Sequence, residues 1–232
     1  MTKDLNVSVI IPAAGLSARM KADKRKPYLV LGGKPIIFHT LDKFFQLPAI
    51  KEIILVVNKD DISSVTEKWS NKLKNYNVSK IIPGGKRRQD SVYEGLLQMN
   101  ADTEIVLVHD GVRPIVSRNT IEIVIEKAYE IGAAIVATPM KSTVKKTDPE
   151  LNIIETIPRH NLWMAQTPQG FRRNIILNAY DKIRNTDIEF TDDAEVVERS
   201  GHTVKIVSGS DDNIKITTRE DLRLAESLLL IS

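Results

Sequence analysis

The chain of 232 residues contains no cysteine. Disulfides, thiolate zinc sites and cysteine nucleophiles are therefore excluded. Aromatic residues make up only 5% of the sequence, and their helical-core spacing argues against a platform for stacking single-stranded nucleic acid. The formal net charge of +3 is too small to argue by itself for a nucleic-acid partner, so the basic clusters at residues 21–26 and 86–88 read as local features. No apolar run is long enough to span a bilayer. The first strand begins by about residue 7, which leaves no room for a signal or transit peptide; a cytoplasmic protein with no membrane partner is expected. Glycine-rich fingerprints are missing too. Gly15 is the only glycine of the first loop, so the loop has neither a Gly-x-Gly-x-x-Gly nor the Gly-Lys-Ser/Thr ending of a P-loop.

What is present is an alternation of apolar strands and amphipathic helices, in a chain whose hydrophobic fraction of 42% suits a real core. Residues 7–11 form a β-branched run that reads as a strand buried on both faces. Similar runs follow at residues 53–57, 78–82, 105–108, 134–137 and 204–207. Between them, Pro35 marks a helix first turn with Ile36, Ile37, Leu41, Phe44 and Phe45 on one face. Ile62, Val65, Trp69 and Leu73 recur at helical spacing, which makes Trp69 a core residue. Further helices are expected at residues 91–99, after Pro114, at residues 173–183, after Thr191 and after Thr218, which with Asp221 resembles a capping box. This pattern predicts a single α/β domain over residues 1–232. Its fold would be Rossmann-like, a mainly parallel twisted sheet with helices on both faces. The rhythm breaks at residues 141–160, where short branched stretches flank a turn around Asp148 and Pro149. A projecting β-arm fits, and such an arm packs naturally on a partner subunit.

Polar and glycine residues gather after strands one, three and four, where open α/β sheets bind ligands. Ala13, Ala14 and Gly15 carry almost no side chain, so their amides can converge on a phosphate chain. Arg19 and Lys26 add two positive charges downstream. These residue types fit either a nucleotide triphosphate cradle or an ordinary strand–turn with a solvated basic segment. Gly84 and Gly85 contact a base or simply end strand three; Asp110 and Arg113 face a ligand or pair with each other. His109 reads as a packed neighbour rather than an acid or base.

Pro12-Ala-Ala-Gly-Leu-Ser-Ala-Arg19-Met, with Lys26 seven residues beyond the arginine, resembles the sugar-nucleotidyltransferase signature. Then follow Gly84-Gly85-x-x-Arg88-x-Asp-Ser91-Val, His109-Asp110-Gly-Val-Arg113-Pro114, Arg159-x-x-Leu-Trp163-x-Ala-Gln-Thr167-Pro-Gln169, Thr191-Asp-Asp-Ala and Asp212-Asn-Ile-Lys215-Ile-Thr. In this order they resemble the 2-C-methyl-D-erythritol 4-phosphate cytidylyltransferase family, over residues 7–229. The resemblance implies that the phosphate of methylerythritol phosphate attacks the α-phosphorus of CTP, pyrophosphate leaves, and the product enters non-mevalonate isoprenoid synthesis.

By the same resemblance Arg19, Lys26 and Lys215 are catalytic. Ala13, Ala14, Gly15, Gly85, Arg88, Ser91, Asp110, Arg113 and Thr167 bind the nucleotide, with Asp110, Arg113 and Thr167 near the sugar. Arg159, Thr191 and Lys215 hold the acceptor's phosphate, a task that suits the planar fork of arginine. The arm clasps a second subunit, Arg159 completes the neighbour's site, and Trp163 anchors the arm, so a homodimer is expected. Magnesium is expected mainly on the CTP phosphates; no residue is a firm metal ligand, and Asp110 is the candidate. One departure is Lys26-Pro27, where relatives commonly have lysine then glutamine; proline removes a backbone donor and biases Lys26 toward an extended backbone. Ribitol 5-phosphate cytidylyltransferase shares the first loop, but Arg159-x-x-Leu-Trp-x-Ala-Gln and the Gly-Ser-Asp-Asp-Asn-Ile-Lys tract favour the methylerythritol enzyme. A non-catalytic nucleotide- or RNA-binding module would show steep salt dependence and is disfavoured. A fused cyclodiphosphate synthase domain is not expected at this length.

Overall fold

The β-branched runs of the sequence become the centre of one sheet. In the computed structural model, which describes residues 4–15, 25–184 and 186–230, β1 (Val7–Ala13) leads to a small ribbon, β2 (Val30–Leu31) and β3 (Lys34–Pro35), and then α1 (Ile36–Asp42). Next come β4 (Ile50–Val57), α2 (Ile62–Lys74), β5 (Val78–Pro83), α3 (Arg88–Leu97), β6 (Ile105–Val108), α4 (Arg118–Ile131) and β7 (Ala133–Pro139). The arm strands β8 (Val144–Thr147) and β9 (Ile153–Ile157) precede β10 (Trp163–Arg172), α5 (Arg173–Ile183), α6 (Asp193–Arg199), β11 (Lys205–Ser208) and α7 (Arg219–Leu229). The main sheet runs β11-β7-β10-β6-β1-β4-β5. Its neighbours are parallel except where β10 lies antiparallel to both β6 and β7.

Both faces of the inner sheet are covered, which is why β1, β4, β6 and β7 are mostly apolar, whereas the edge strands β5 and β11 expose Ser79 and Lys205. Val9 and Ile11 of β1 point into one core with α1, α2 and α4. Ile10, between them, points into the other, with α3, α5 and α6. Trp69 packs as expected, edge-on to Phe38 at 5.4 Å and near Tyr28 at 5.5 Å between ring centroids. Thr218 and Asp221 form the expected capping box of α7, with Asp221 N donating to Thr218 Oγ1 at 3.1 Å. Pro35 is the N-cap of α1 rather than a first-turn residue.

β10 was not expected from the sequence. Its central Gln166-Thr167-Pro168-Gln169-Gly170 has no apolar alternation, and the register with β7 shifts between Ala165 and Gln169. The hairpin β8–β9 stands apart from the main sheet, as expected for a projecting arm. Leu151, Ile153 and Ile154 on it are 80%, 64% and 61% exposed, so its own domain leaves these apolar side chains uncovered.

Two features carry the end of the sheet where polar residues gather. α3 lies close on β1 because Gly95 has no Cβ; one built there would sit 2.6 Å from Ile10 Cγ2. Beneath the end of β6, His109 is fully buried, with Nδ1 bonded to Thr167 Oγ1 at 3.1 Å and Nε2 to Arg113 O at 3.0 Å. Burial pushes its pKa down to about 4, so the ring is neutral at neutral pH.

Gly95→Ala should destabilise the protein by about 1–3 kcal/mol through overpacking, although alanine is the better helix former. A urea midpoint equal to or above that of the wild type would show that α3 does not need this approach. His109 gives a second expectation. The folded state keeps it neutral while the unfolded chain protonates near pH 6.5, so its stability contribution is whole above that pH. It is lost as pH falls toward about 4, to a total of about 3 kcal/mol. Urea unfolding at about pH 7 and about pH 4.5 should show a steeper loss in the wild type than in His109→Gln. Equal slopes would clear His109 as the cause.

Candidate active site

β1 is flanked by β4 on one side and β6 on the other, so its C-terminal end is a topological switch point. A cleft of ≈ 700 Å³ opens there. Ala13, Ala14, Gly15, Lys26, Gly85, Arg88, Ser91, Asp110 and Lys215, expected as site residues from the sequence, all line it. Arg19 lies outside the described residues.

The small residues of two loops make the floor. A Cβ on Gly84 would sit 2.5 Å from Ala14 Cβ and 2.7 Å from Ser91 Oγ, and one on Gly85 would sit 2.4 Å from Asp90 Cβ. The glycine pair therefore does more than end β5: Gly84 lets the two loops touch, and Gly85 lets its loop close on Asp90 of α3. Gly85 N donates to Ser91 Oγ at 3.1 Å, and that hydroxyl donates to Arg87 O at 3.2 Å.

Lys26 opens a single 3₁₀ turn, Lys26–Tyr28, with Pro27 buried. The extended residue is Arg25, at ψ 146°, not Lys26 as the proline bias suggested. Tyr28 N donates to Arg25 O at 2.9 Å and Leu29 N to Lys26 O at 3.1 Å. Proline's missing donor falls in the first turn, where no intrahelical partner exists, so the turn keeps these two hydrogen bonds. Arg25 Nε pairs with Asp61 at 2.6 Å on the flank.

Asp110, 6% exposed, is the electrostatic centre. Its Oδ2 lies 3.0 Å from Lys215 Nζ and 3.3 Å from Arg113 Nε, and its Oδ1 lies 3.5 Å from Arg88 Nε. Burial alone would raise its pKa, but Lys215, Arg88 and Arg113 together hold the carboxyl well below the usual range. Arg88 also reaches Asp193, Nη2 to Oδ2 at 2.8 Å. Burial works against the Arg88 charge, and the two carboxylates outweigh it and push its pKa up. Both Asp110 oxygens thus face cations, and no group of three His, Cys, Asp or Glu that could hold a metal occurs among the described residues. Asp110 does not fit the role of a magnesium ligand.

Four expected residues lie off the cleft wall. Thr167 is 4% exposed, its Oγ1 accepting from Asp110 N at 3.1 Å, so it supports Asp110 from below instead of lining the site. Arg113 donates Nη1 to Asn213 O at 2.7 Å, tying the Asp110 loop to the segment that carries Lys215. Here the Asp110–Arg113 pair is structural. Arg159 is exposed at the foot of the arm and bonds Lys141 O. Thr191 is exposed beside α6, its hydroxyl donating to Glu195 Oε2 at 2.9 Å.

Sequence reasoning passed over Asn58, Lys59, Lys86 and Arg87, which also line the cleft. Asn58 and Lys59 directly follow β4, and the strand-end rule applied to the other strands would have found them. Asp193 stood in the Thr191-Asp-Asp-Ala motif without an assigned role, and its partner Arg88 is 105 residues away.

The chain matches the family described as 2-C-methyl-D-erythritol 4-phosphate cytidylyltransferase (IspD) over residues 7–230. A protein of that name from Alkaliphilus oremlandii is 45% identical over 222 residues, 96% of this chain and 94% of the relative. One from Bacillus licheniformis is 44% identical over 228 residues, 97% and 96% of the two chains. Among solved structures, the 4-diphosphocytidyl-2C-methyl-D-erythritol synthase of Anaerococcus prevotii aligns with a TM-score of 0.84 at 34% identity, covering 97% of this chain and 96% of that one. The 2-C-methyl-D-erythritol 4-phosphate cytidylyltransferase of Thermus thermophilus aligns at 0.79 and 31% identity, covering 97% and 100%. The likeness runs through every element that shapes the cleft, and the chain belongs to the 2-C-methyl-D-erythritol 4-phosphate cytidylyltransferase family.

Proposed function

We propose that this cleft joins CTP to 2-C-methyl-D-erythritol 4-phosphate, giving 4-CDP-2-C-methyl-D-erythritol and pyrophosphate in non-mevalonate isoprenoid synthesis. The observation that carries this reading is the meeting of Lys26 and Lys215 with the Ala13–Ala14–Gly15 loop and Gly85 in one cleft. The relatives quoted above carry the methylerythritol name, which sets ribitol 5-phosphate aside as the acceptor. A turnover site of this kind also leaves no need for a non-catalytic RNA-binding role.

In the reaction an acceptor phosphate oxygen forms a bond to the α-phosphorus of CTP. The bond from that phosphorus to its bridging oxygen breaks, and pyrophosphate leaves with the electron pair. The attacking oxygen is already ionised at neutral pH, so no general base is required, and His109 stays neutral and buried beneath the site. What remains for the protein is positioning and charge stabilisation. Backbone groups of the first loop and of Gly85 hold the nucleotide, and Lys26 and Lys215, with Arg19, stabilise charge on the reacting phosphates. Magnesium, expected with the CTP phosphates, would supply charge neutralisation there, while Asp110 pairs with Lys215, Arg88 and Arg113.

The acceptor's phosphate is held by Lys215 and Thr191 of one subunit and by Arg159 of another. Support comes from the arm, which leaves Leu151, Ile153 and Ile154 uncovered and carries Arg159 at its foot. The protein acts in this reading as a cytoplasmic homodimer with shared sites. No helix among the described residues is long and apolar enough to cross a membrane.

Pyrophosphate release from CTP, magnesium and methylerythritol phosphate tests the reaction. Lys26→Ala should lower turnover by roughly two to three orders of magnitude while largely keeping CTP binding. Unchanged turnover would remove Lys26 from the mechanism, and an inactive wild type would overturn the function. Shared sites are tested by mixing Lys26→Ala with Arg159→Ala subunits. Each is expected to be nearly inactive alone and to recover activity in mixed dimers. No recovery, or a fully active monomer in sedimentation, would rule the shared site out.

A further inference from the structure

Asp193 is fully buried at the start of α6, and the proposed chemistry gives it no task. Its Oδ2 takes Arg88 Nη2 at 2.8 Å and its Oδ1 accepts from Tyr180 Oη at 2.5 Å. Its backbone N donates to Gln169 Oε1 at 3.1 Å, as does Ala194 N at 2.9 Å, so the first turn of α6 is fixed on the sheet. A carboxylate so completely enclosed is retained only when its partners are fixed as well.

The geometry points to Asp193 as a positioning residue that holds the Arg88 guanidinium back from Asp110 Oδ1, so that the Asp110 charge is left mainly to Lys215 and Arg113 at Oδ2. Arg88 stands between two carboxylates, 2.8 Å from Asp193 and 3.5 Å from Asp110, while Lys215 lies 3.0 Å from Asp110. The shorter arm of the guanidinium is the one away from the cleft. With Arg113 counted, three cations share two carboxylates, and the cluster presents one net positive charge to the cleft. Without the Asp193 charge the cluster would carry two net positive charges, and Arg88 would close on Asp110 Oδ1 and weaken that carboxylate's hold on Lys215 at Oδ2. Anionic nucleotide would then bind as well or better in the ground state, while the Lys215 ammonium would be displaced from its place at the reacting phosphates.

This inference rests on the proposed role of Lys215, and its signature differs from that of simple damage. Asp193→Asn is isosteric: its amide oxygen can accept from Arg88 and its amide nitrogen can donate to the Tyr180 oxygen. The expected result is a fall in kcat of about ten- to a hundredfold with KM for CTP unchanged or lower. In an Arg88→Gln background the guanidinium that Asp193 steers is gone, so adding Asp193→Asn should change turnover little. A kcat of Asp193→Asn within about twofold of wild type, a KM for CTP that rises as kcat falls, or a double variant well below Arg88→Gln would each overturn the assignment. Should Asp193→Asn not fold, as judged by thermal melting, the double variant is compared with Arg88→Gln. Equal turnover supports the assignment, and a further fall overturns it. An inactive wild type would defeat the proposed reaction instead, and calorimetric CTP binding would still decide this point, since weaker binding by Asp193→Asn contradicts it and equal or tighter binding agrees with it.

Discussion

A carboxylate taken out of water must be paired, and most of this cleft follows from pairing Asp110. Lys215, Arg113 and Arg88 reach it from the segment before α7, from its own loop and from the first turn of α3. Those contacts help fix the relative positions of parts of the chain that stand far apart in the sequence. Arg113 and Asn213 extend the arrangement: Arg113 bonds Asn213 O, and Asn213 Nδ2 donates to Thr167 O at 2.9 Å and Gln166 Oε1 at 3.0 Å. The bonds that seat the last strands on the sheet therefore also aim the cations. A site built this way undergoes little reorganisation when an anion arrives, which is where electrostatic catalysis gains most.

The sequence showed the sheet's parallel part clearly and its reversal poorly. β1, β4, β6 and β7 are runs of branched and apolar residues because both their faces are covered, and such runs are visible without any partner. β10 is defined by its neighbours. Its residues 169–172 pair with β6 and also with β7 through residues 169–171, so pairing compensates for a central segment that reads as a loop. The physical cause of its direction was nonetheless present in the broken rhythm of residues 141–160. A chain that leaves β7 through a hairpin has no crossover helix to carry it back, and it returns alongside antiparallel.

The site was legible in proportion to how far backbone decided it. Small residues and glycines after strand ends marked the floor of the cleft correctly, since only their lack of a side chain mattered. Charged residues were recognised as important, but sequence does not say whether a side chain faces a ligand or another side chain. Arg113 and Thr167 hold Asp110 in place from behind, and Arg88 is shared with Asp193, a partner that no periodicity or local spacing could reveal.

Lys26-Pro27 shows how a departure from the family pattern can serve the same chemistry. A first-turn residue has no intrahelical use for its N–H, so proline there costs no hydrogen bond and limits the chain to fewer conformations. The Arg25–Asp61 ion pair precedes it and the Tyr28–Trp69 ring contact follows it, so the turn is fastened on both sides of Pro27. A lysine asked to stabilise charge on a reacting phosphate gains from a backbone that does not have to be ordered at the moment of binding. The proline therefore acts on the entropy of the turn and leaves Lys26 on the wall of the cleft.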